Sequence, residues 1–152
     1  MINPEDGFGI WNINGTIKYP ESIKLGLSQY MDSINKAYGL LNGSKNEKTD
    51  DYQLKGKNIN SWKGRNTWIH LFFNKSLFVF GLTLDENEIF LRWLLIQRSI
   101  YINQHNKNNK GWYIYCKDND DMPEGKKLFL KSVGFDIIEI DNYKIIYEDV
   151  WK

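Results

Sequence analysis

The chain has one cysteine, Cys116, in 152 residues. A lone cysteine cannot close an internal disulfide or build a structural zinc site by itself. The expectation is a reduced, cytoplasmic protein in which Cys116, set in an apolar stretch, is a small core residue. Charge of one sign is also missing: 20 Lys and Arg face 19 Asp and Glu, leaving a net charge of +1. That gives no broad electrostatic basis for a nucleic-acid or anionic-membrane partner, and neither is expected. The apolar runs fall far short of a membrane span. The polar, acidic start, "MINPEDGFG", does not read as a signal peptide.

Histidine is scarce, with only His70 and His105. Neither has neighbours that make a metal site or a triad, so no metal is expected. Glu86, Glu88, Asp118, Asp120 and Asp121 read as helix caps and loop acids, and their spacing fits no calcium loop. No G-x-G-x-x-G or P-loop sequence occurs, although a complete dinucleotide site normally needs such a loop.

What is present is aromatic: Phe, Trp and Tyr make up 15% of the chain, with six Trp. That favours an aromatic core or an aromatic surface that meets something. The length suits one compact domain. We expect a single α/β domain over 1–152, with a strand, a helix and a polar loop in 1–60 and an alternating helix/strand core in 61–152.

The pattern along the chain carries that expectation. "FGIWNIN" at 8–14 reads as a strand, and "YPES" at 19–22 as a turn in which Pro20 blocks extension. A helix follows from about Ser28, its N-cap, with Tyr30, Ile34, Ala37, Tyr38 and Leu41 on one face. Residues 45–60 are a polar loop. A second helix spans roughly 61–73. "SLFVFGLTL" is a continuous apolar run, the mark of a strand buried on both faces of a parallel sheet. Asp85 and Glu88 form a capping-box pattern before a helix whose apolar stripe runs from Ile89 to Tyr101. Then come the strand "WYIYC", a short helix near 123–132, and the strand "DIIEI". "YKIIYEDVW" reads as its antiparallel hairpin partner at the sheet edge. The alternation argues for an α/β fold: a three-layer, Rossmann-like half with a mostly parallel sheet and an antiparallel edge hairpin.

In open α/β sheets ligands bind beyond the carboxyl ends of the strands, so the end of "LFVFG" is the place to look. Gly81 permits close backbone approach, Thr83 supplies a hydroxyl, and Asp85 caps the next helix. The same three residues also suit a plain strand-to-helix turn.

Four pieces in order, "IWNING", "PESIKLGLSQY", "TWIHLFFNKSLFVFGLTLDENEIFLRWLLIQRS" and "GWYIY", resemble the bacterial sirtuin-like domains over about Gly9 to Cys116. The resemblance implies a Rossmann-like domain that binds NAD and, in active members, cleaves its nicotinamide bond. It maps the family's Gly-x-Ser/Thr turn onto Gly81, Leu82 and Thr83, near the cofactor ribose. It places Tyr115 and Cys116 at the ligand-facing end of the next strand. The family's catalytic histidine falls on Asn14, whose amide cannot act as a base near neutral pH. The Gly-rich loop and roughly the first half of the domain have no counterpart, and neither does the four-cysteine zinc module.

Without that half, the strand 76–82 has an unmet neighbour, and a long apolar edge is an aggregation hazard. Either "IWNIN" pairs with it, or a second copy or partner chain does, or the chain belongs to a longer protein. The preferred expectation is an incomplete sirtuin-like domain, inactive alone, that binds NAD or ADP-ribose weakly or serves as a binding module. One alternative is an NAD hydrolase of the defence-associated type, completed by a partner chain or a longer parent. Another is an interaction protein with no cofactor.

Overall fold

A computed structural model describes residues 17–22, 27–42, 67–117 and 122–149. The expected strand at 8–14 with Asn14, the polar loop 45–60, and Asp118, Asp120 and Asp121 lie outside them. The chain divides into two compact units, Met1–Leu71 and Phe72–Lys152.

In the first unit, Pro20–Ser22 form a single 3-10 turn, where the "YPES" turn is expected. Helix α1 spans Leu27–Asn42. It begins before Ser28, so that residue lies inside the helix instead of capping it. Ala37 and Leu41, four apart, are buried, whereas Tyr38 is exposed. Helix α2, Trp68–Asn74, covers the end of the expected second helix and runs across the division, its last residues Phe72–Asn74 belonging to the second unit.

The second unit holds strand β1 (Leu77–Phe80), helix α3 (Ile89–Gln104), strand β2 (Gly111–Cys116), helix α4 (Glu124–Ser132) and strand β3 (Phe135–Ile140). The strands form one sheet in the order β1-β2-β3. Both pairings are parallel, with Leu77 opposite Gly111 and Gly111 opposite Phe135. Parallel neighbours need a crossover, and α3 and α4 supply the two. The class is α/β, and the arrangement is compatible with half of a Rossmann-like fold.

Side chains alternate across each strand. Leu77, Val79, Tyr113, Phe135 and Ile137 fall on one face and join a single core cluster. Leu91 and Leu95 of α3, Phe129 and Leu130 of α4, and Val133 just after α4 pack into that same cluster. Both helices therefore cover the same face of the sheet. Gly111 is needed there for space, because a Cβ would sit 2.8 Å from the Phe135 ring.

The opposite face corrects the expectation of a strand buried on both sides. Phe78 is 61% exposed and stacks on Trp112, with ring centroids 4.4 Å apart. Next to it, Phe80 meets the edge of Tyr147 at 5.9 Å. An apolar run shows that a strand has two apolar faces. It does not show that something covers both.

Three local expectations change. The capping box does not form: Asp85 opens a turn, with the Glu88 amide donating to its carbonyl at 2.9 Å, and α3 starts only at Ile89. Gly81 (φ 65°) and Leu84 (φ 50°) both take left-handed backbone, which lengthens the loop ahead of the helix. The buried stripe of α3 is Phe90, Leu94, Leu95, Arg98 and Tyr101, while Ile89, Ile96 and Ile100 are exposed.

The antiparallel hairpin is the third. Ile145–Asp149 form a helical turn, and the sheet of described residues has no antiparallel strand. The Asn142 side chain accepts the Lys144 amide at 2.8 Å, and the Tyr143 carbonyl accepts the Ile146 and Tyr147 amides. This Asx turn starts a helix in a sequence whose β-branched residues read as a strand. Lys144 and Glu148, four apart, then pair at 3.5 Å.

Candidate functional site at the strand ends

A cavity of about 390 Å³ opens beyond the carboxyl ends of β1 and β2. This is where an open parallel sheet places its ligands, and the volume lies in the range of small-molecule sites. Gly81, Thr83, Tyr115 and Cys116, four of the five residues expected at a cofactor site, line it. They come from two strands more than thirty residues apart in sequence, brought together by the parallel pairing of Phe80 with Ile114. Asp85, the fifth, does not line the cavity. It stands beside it in the loop, close enough for its charge to act on Tyr113 and Lys126. Asn14 lies outside the described residues.

The rim loop is held by side chains from two elements. The Tyr113 hydroxyl donates to the Leu82 carbonyl and, at 3.4 Å, to that of Thr83. Arg92 of α3 donates to the Leu84 carbonyl at 3.3 Å and lies over the Phe129 ring. Three successive carbonyls thus have donors from outside the loop. Leu84 is fully buried despite its left-handed backbone, so packing keeps it in a conformation a bulky residue otherwise avoids. Such outliers cost roughly 1–3 kcal/mol and gather at ligand sites.

Tyr113 is buried, and its pKa is pushed up to about 12, first by that burial and then by the charge of Asp85. It is a fixed neutral donor at any ordinary pH. The outer end of β2 is tied to β3: Tyr115 donates to Glu139 at 2.6 Å, Lys117 pairs with Glu139 at 3.5 Å, and the Cys116 thiol reaches the Asp141 carbonyl at 3.2 Å.

The opposite wall comes from Met122, Pro123 and Lys126, in the segment that starts α4, and from Tyr143. Sequence reasoning missed Lys126, Tyr113 and Tyr143. Lys126 had one legible signal, its place in the first turn of a helix that follows a strand. Tyr143 had none, because its position depends on the unforeseen helical turn. The Lys126 ammonium sits 4.8 Å from the centre of the Tyr113 ring. Burial lowers its pKa and outweighs the upward pull of Asp85 and Tyr143.

The residues together offer a backbone turn, hydroxyl donors, aromatic edges and one ammonium. That set can bind and orient a polar organic molecule. Among the described residues there is no cluster of His, Cys, Asp or Glu able to hold a metal ion, and no helix long and apolar enough to cross a membrane. No protein-family model, curated protein or solved structure matches this chain.

Proposed function

We propose that this protein is an incomplete sirtuin-like domain whose second unit binds NAD or ADP-ribose weakly and does not cleave the nicotinamide bond on its own. One observation carries the reading. Residues singled out for the cofactor from separate parts of the sequence, Gly81 and Thr83 on one side, Tyr115 and Cys116 on the other, line one cavity. The preformed rim loop supports it, because a site whose backbone is already held loses less entropy on binding. The lack of catalysis rests on the sequence: an untitratable amide at Asn14, and no Gly-rich loop. This reading carries a bacterial, cytoplasmic setting with it.

A second reading is favoured by the sheet's other face. The exposed Phe78 on β1, stacked on Trp112 of β2, is the kind of aromatic surface that meets a protein, and β1 is an outer strand of the sheet among the described residues. In that reading a second copy or another chain pairs with β1, either as the whole function or to complete an NAD hydrolase.

A thermal-shift titration with NAD and ADP-ribose tests the first reading. A ligand that binds only the folded state raises the melting temperature in proportion to log concentration once sites fill. A rise of that form that disappears in Gly81→Val, checked for folding by circular dichroism, supports it. No rise at millimolar ligand removes it and leaves the interaction reading.

A further inference from the structure

The charge inside the cavity carries the nucleotide reading one step further, and the step rests on that reading. We propose that Lys126 is the cavity's anion anchor and takes the phosphate of a ligand of the nucleotide class. Lys126 is the one charged side chain that lines the cavity among the described residues. The rest of the lining is apolar or neutral: the Tyr113 and Tyr115 hydroxyls and the Cys116 thiol donate to Leu82, Glu139 and Asp141, and Thr83 and Tyr143 add two further hydroxyls. The one full charge on the lining itself is therefore positive, with the Asp85 carboxylate beside the cavity and not in its lining.

The Lys126 ammonium is also uncommitted. Among the described residues no carboxylate pairs with it, and its close contact is the face of Tyr113. Lys127, its neighbour in sequence, already pairs with Glu124 at 4.0 Å. The two lysines share a helical turn but not a role. An ammonium drawn partly out of water, with its three hydrogens unspent, gains most from an anion that brings its own acceptors.

Size and shape select the class. A free phosphate ion would leave most of a 390 Å³ cavity empty. The half-buried Tyr115 and Tyr143 give the remaining space aromatic edges, against which a planar base can rest. The anchor also answers a deficit in the sequence. Phosphate charge needs donors, and the chain has no Gly-rich loop to supply backbone amides.

The test is isothermal titration of adenosine, ADP and pyrophosphate against the wild type, Lys126→Met, Lys126→Arg and Lys127→Met. Lys126 is half-exposed, so the variants keep their fold, with circular dichroism as the check. The expected result is that the wild type binds ADP more tightly than adenosine. Lys126→Met then loses ADP affinity by about ten- to a hundredfold, the scale of one charge-assisted contact, with adenosine unchanged. Lys126→Arg keeps most of the affinity and Lys127→Met all of it. If Lys126→Met binds ADP as tightly as the wild type, the anchor is overturned and the nucleotide reading stands. If pyrophosphate binds through Lys126 but the adenosine moiety adds nothing, the anchor stands and the nucleotide reading falls. If the wild type binds neither ADP nor pyrophosphate, both are overturned.

Discussion

Replacing Arg98 with methionine removes the most heavily bonded side chain of the second unit. Arg98 is 1% exposed, on the buried stripe of α3. Its Nε donates to the Phe72 carbonyl at 2.9 Å. Its Nη2 reaches the carbonyls of Lys75 at 3.1 Å, Asn109 at 3.3 Å and Lys110 at 3.1 Å. One planar group thus ties the end of α2 and the entry to β1 to the entry of β2. Burial pushes its pKa down to about 10, which still leaves it charged at neutral pH. Hydrogen bonds to a charged group contribute roughly 1.5–3 kcal/mol each, but four sharing one guanidinium are not additive, and desolvating that charge offsets part of the gain. Methionine fills much of the volume but takes this donor from the carbonyls of Phe72, Lys75 and Asn109, while the Lys110 carbonyl keeps the Leu77 amide at 2.9 Å. Lys75 and Lys110 are exposed enough for water to recover some of the loss. The expected cost is about 3 kcal/mol, or roughly 12–24 °C in melting temperature for a unit of this size. Urea denaturation followed by tryptophan fluorescence reads it, since Trp112 sits in β2. Arg98→Lys keeps the charge without the fork and falls between the two. A methionine variant within about 0.5 kcal/mol of the wild type, below the contribution of even one such bond, would refute the argument.

Three further changes test the cavity rim and the packing of the sheet. Tyr113→Phe removes the donor to the Leu82 and Thr83 carbonyls and is expected to cost about 1–2 kcal/mol at pH 7. Its effect depends on pH: between about pH 10 and about 12 the unfolded chain has released the Tyr113 proton and the folded one has not. The folded state then binds more protons, so wild-type stability falls as pH rises through that window. The gap to the phenylalanine variant should therefore narrow there, and a constant gap contradicts the assignment. Gly111→Ala drives a methyl into the Phe135 ring and is expected to cost about 1–3 kcal/mol in denaturant melts. Gly125→Ala, on α4 with nothing within 4 Å, should be neutral or stabilise by up to about 1 kcal/mol. Equal effects at the two glycines would remove the steric argument.

The order of helices and strands after residue 67 was legible because period and punctuation agree there. β2, α4 and β3 stand within a residue or two of their expected bounds, and Gly134, at φ 82°, follows the end of α4 in left-handed backbone. The same rules failed where a side chain competes with a pattern. "YKIIY" has strand composition, but one Asn142 hydrogen bond turns it into a helix. Asp85 has cap composition, but Leu84 is already left-handed and the helix waits for Ile89. On α3 an arginine displaces isoleucines from the buried stripe, because carbonyls from the end of α2 and the entries to β1 and β2 converge on its guanidinium and none of them is marked in the local sequence.

The sequence by itself determined the α/β class, the parallel alternation and the place of the cavity beyond the strand ends, since a Gly-x-Thr turn at the end of an apolar strand is a local signal. Only the tertiary structure decided what lines that cavity. Lys126 and Tyr143 reach the cavity through helical turns that follow other strands, and Tyr113 reaches the rim from across a strand pair. These are relations between segments distant in the chain, fixed by parallel register and by packing on one face of the sheet, and no local periodicity encodes them.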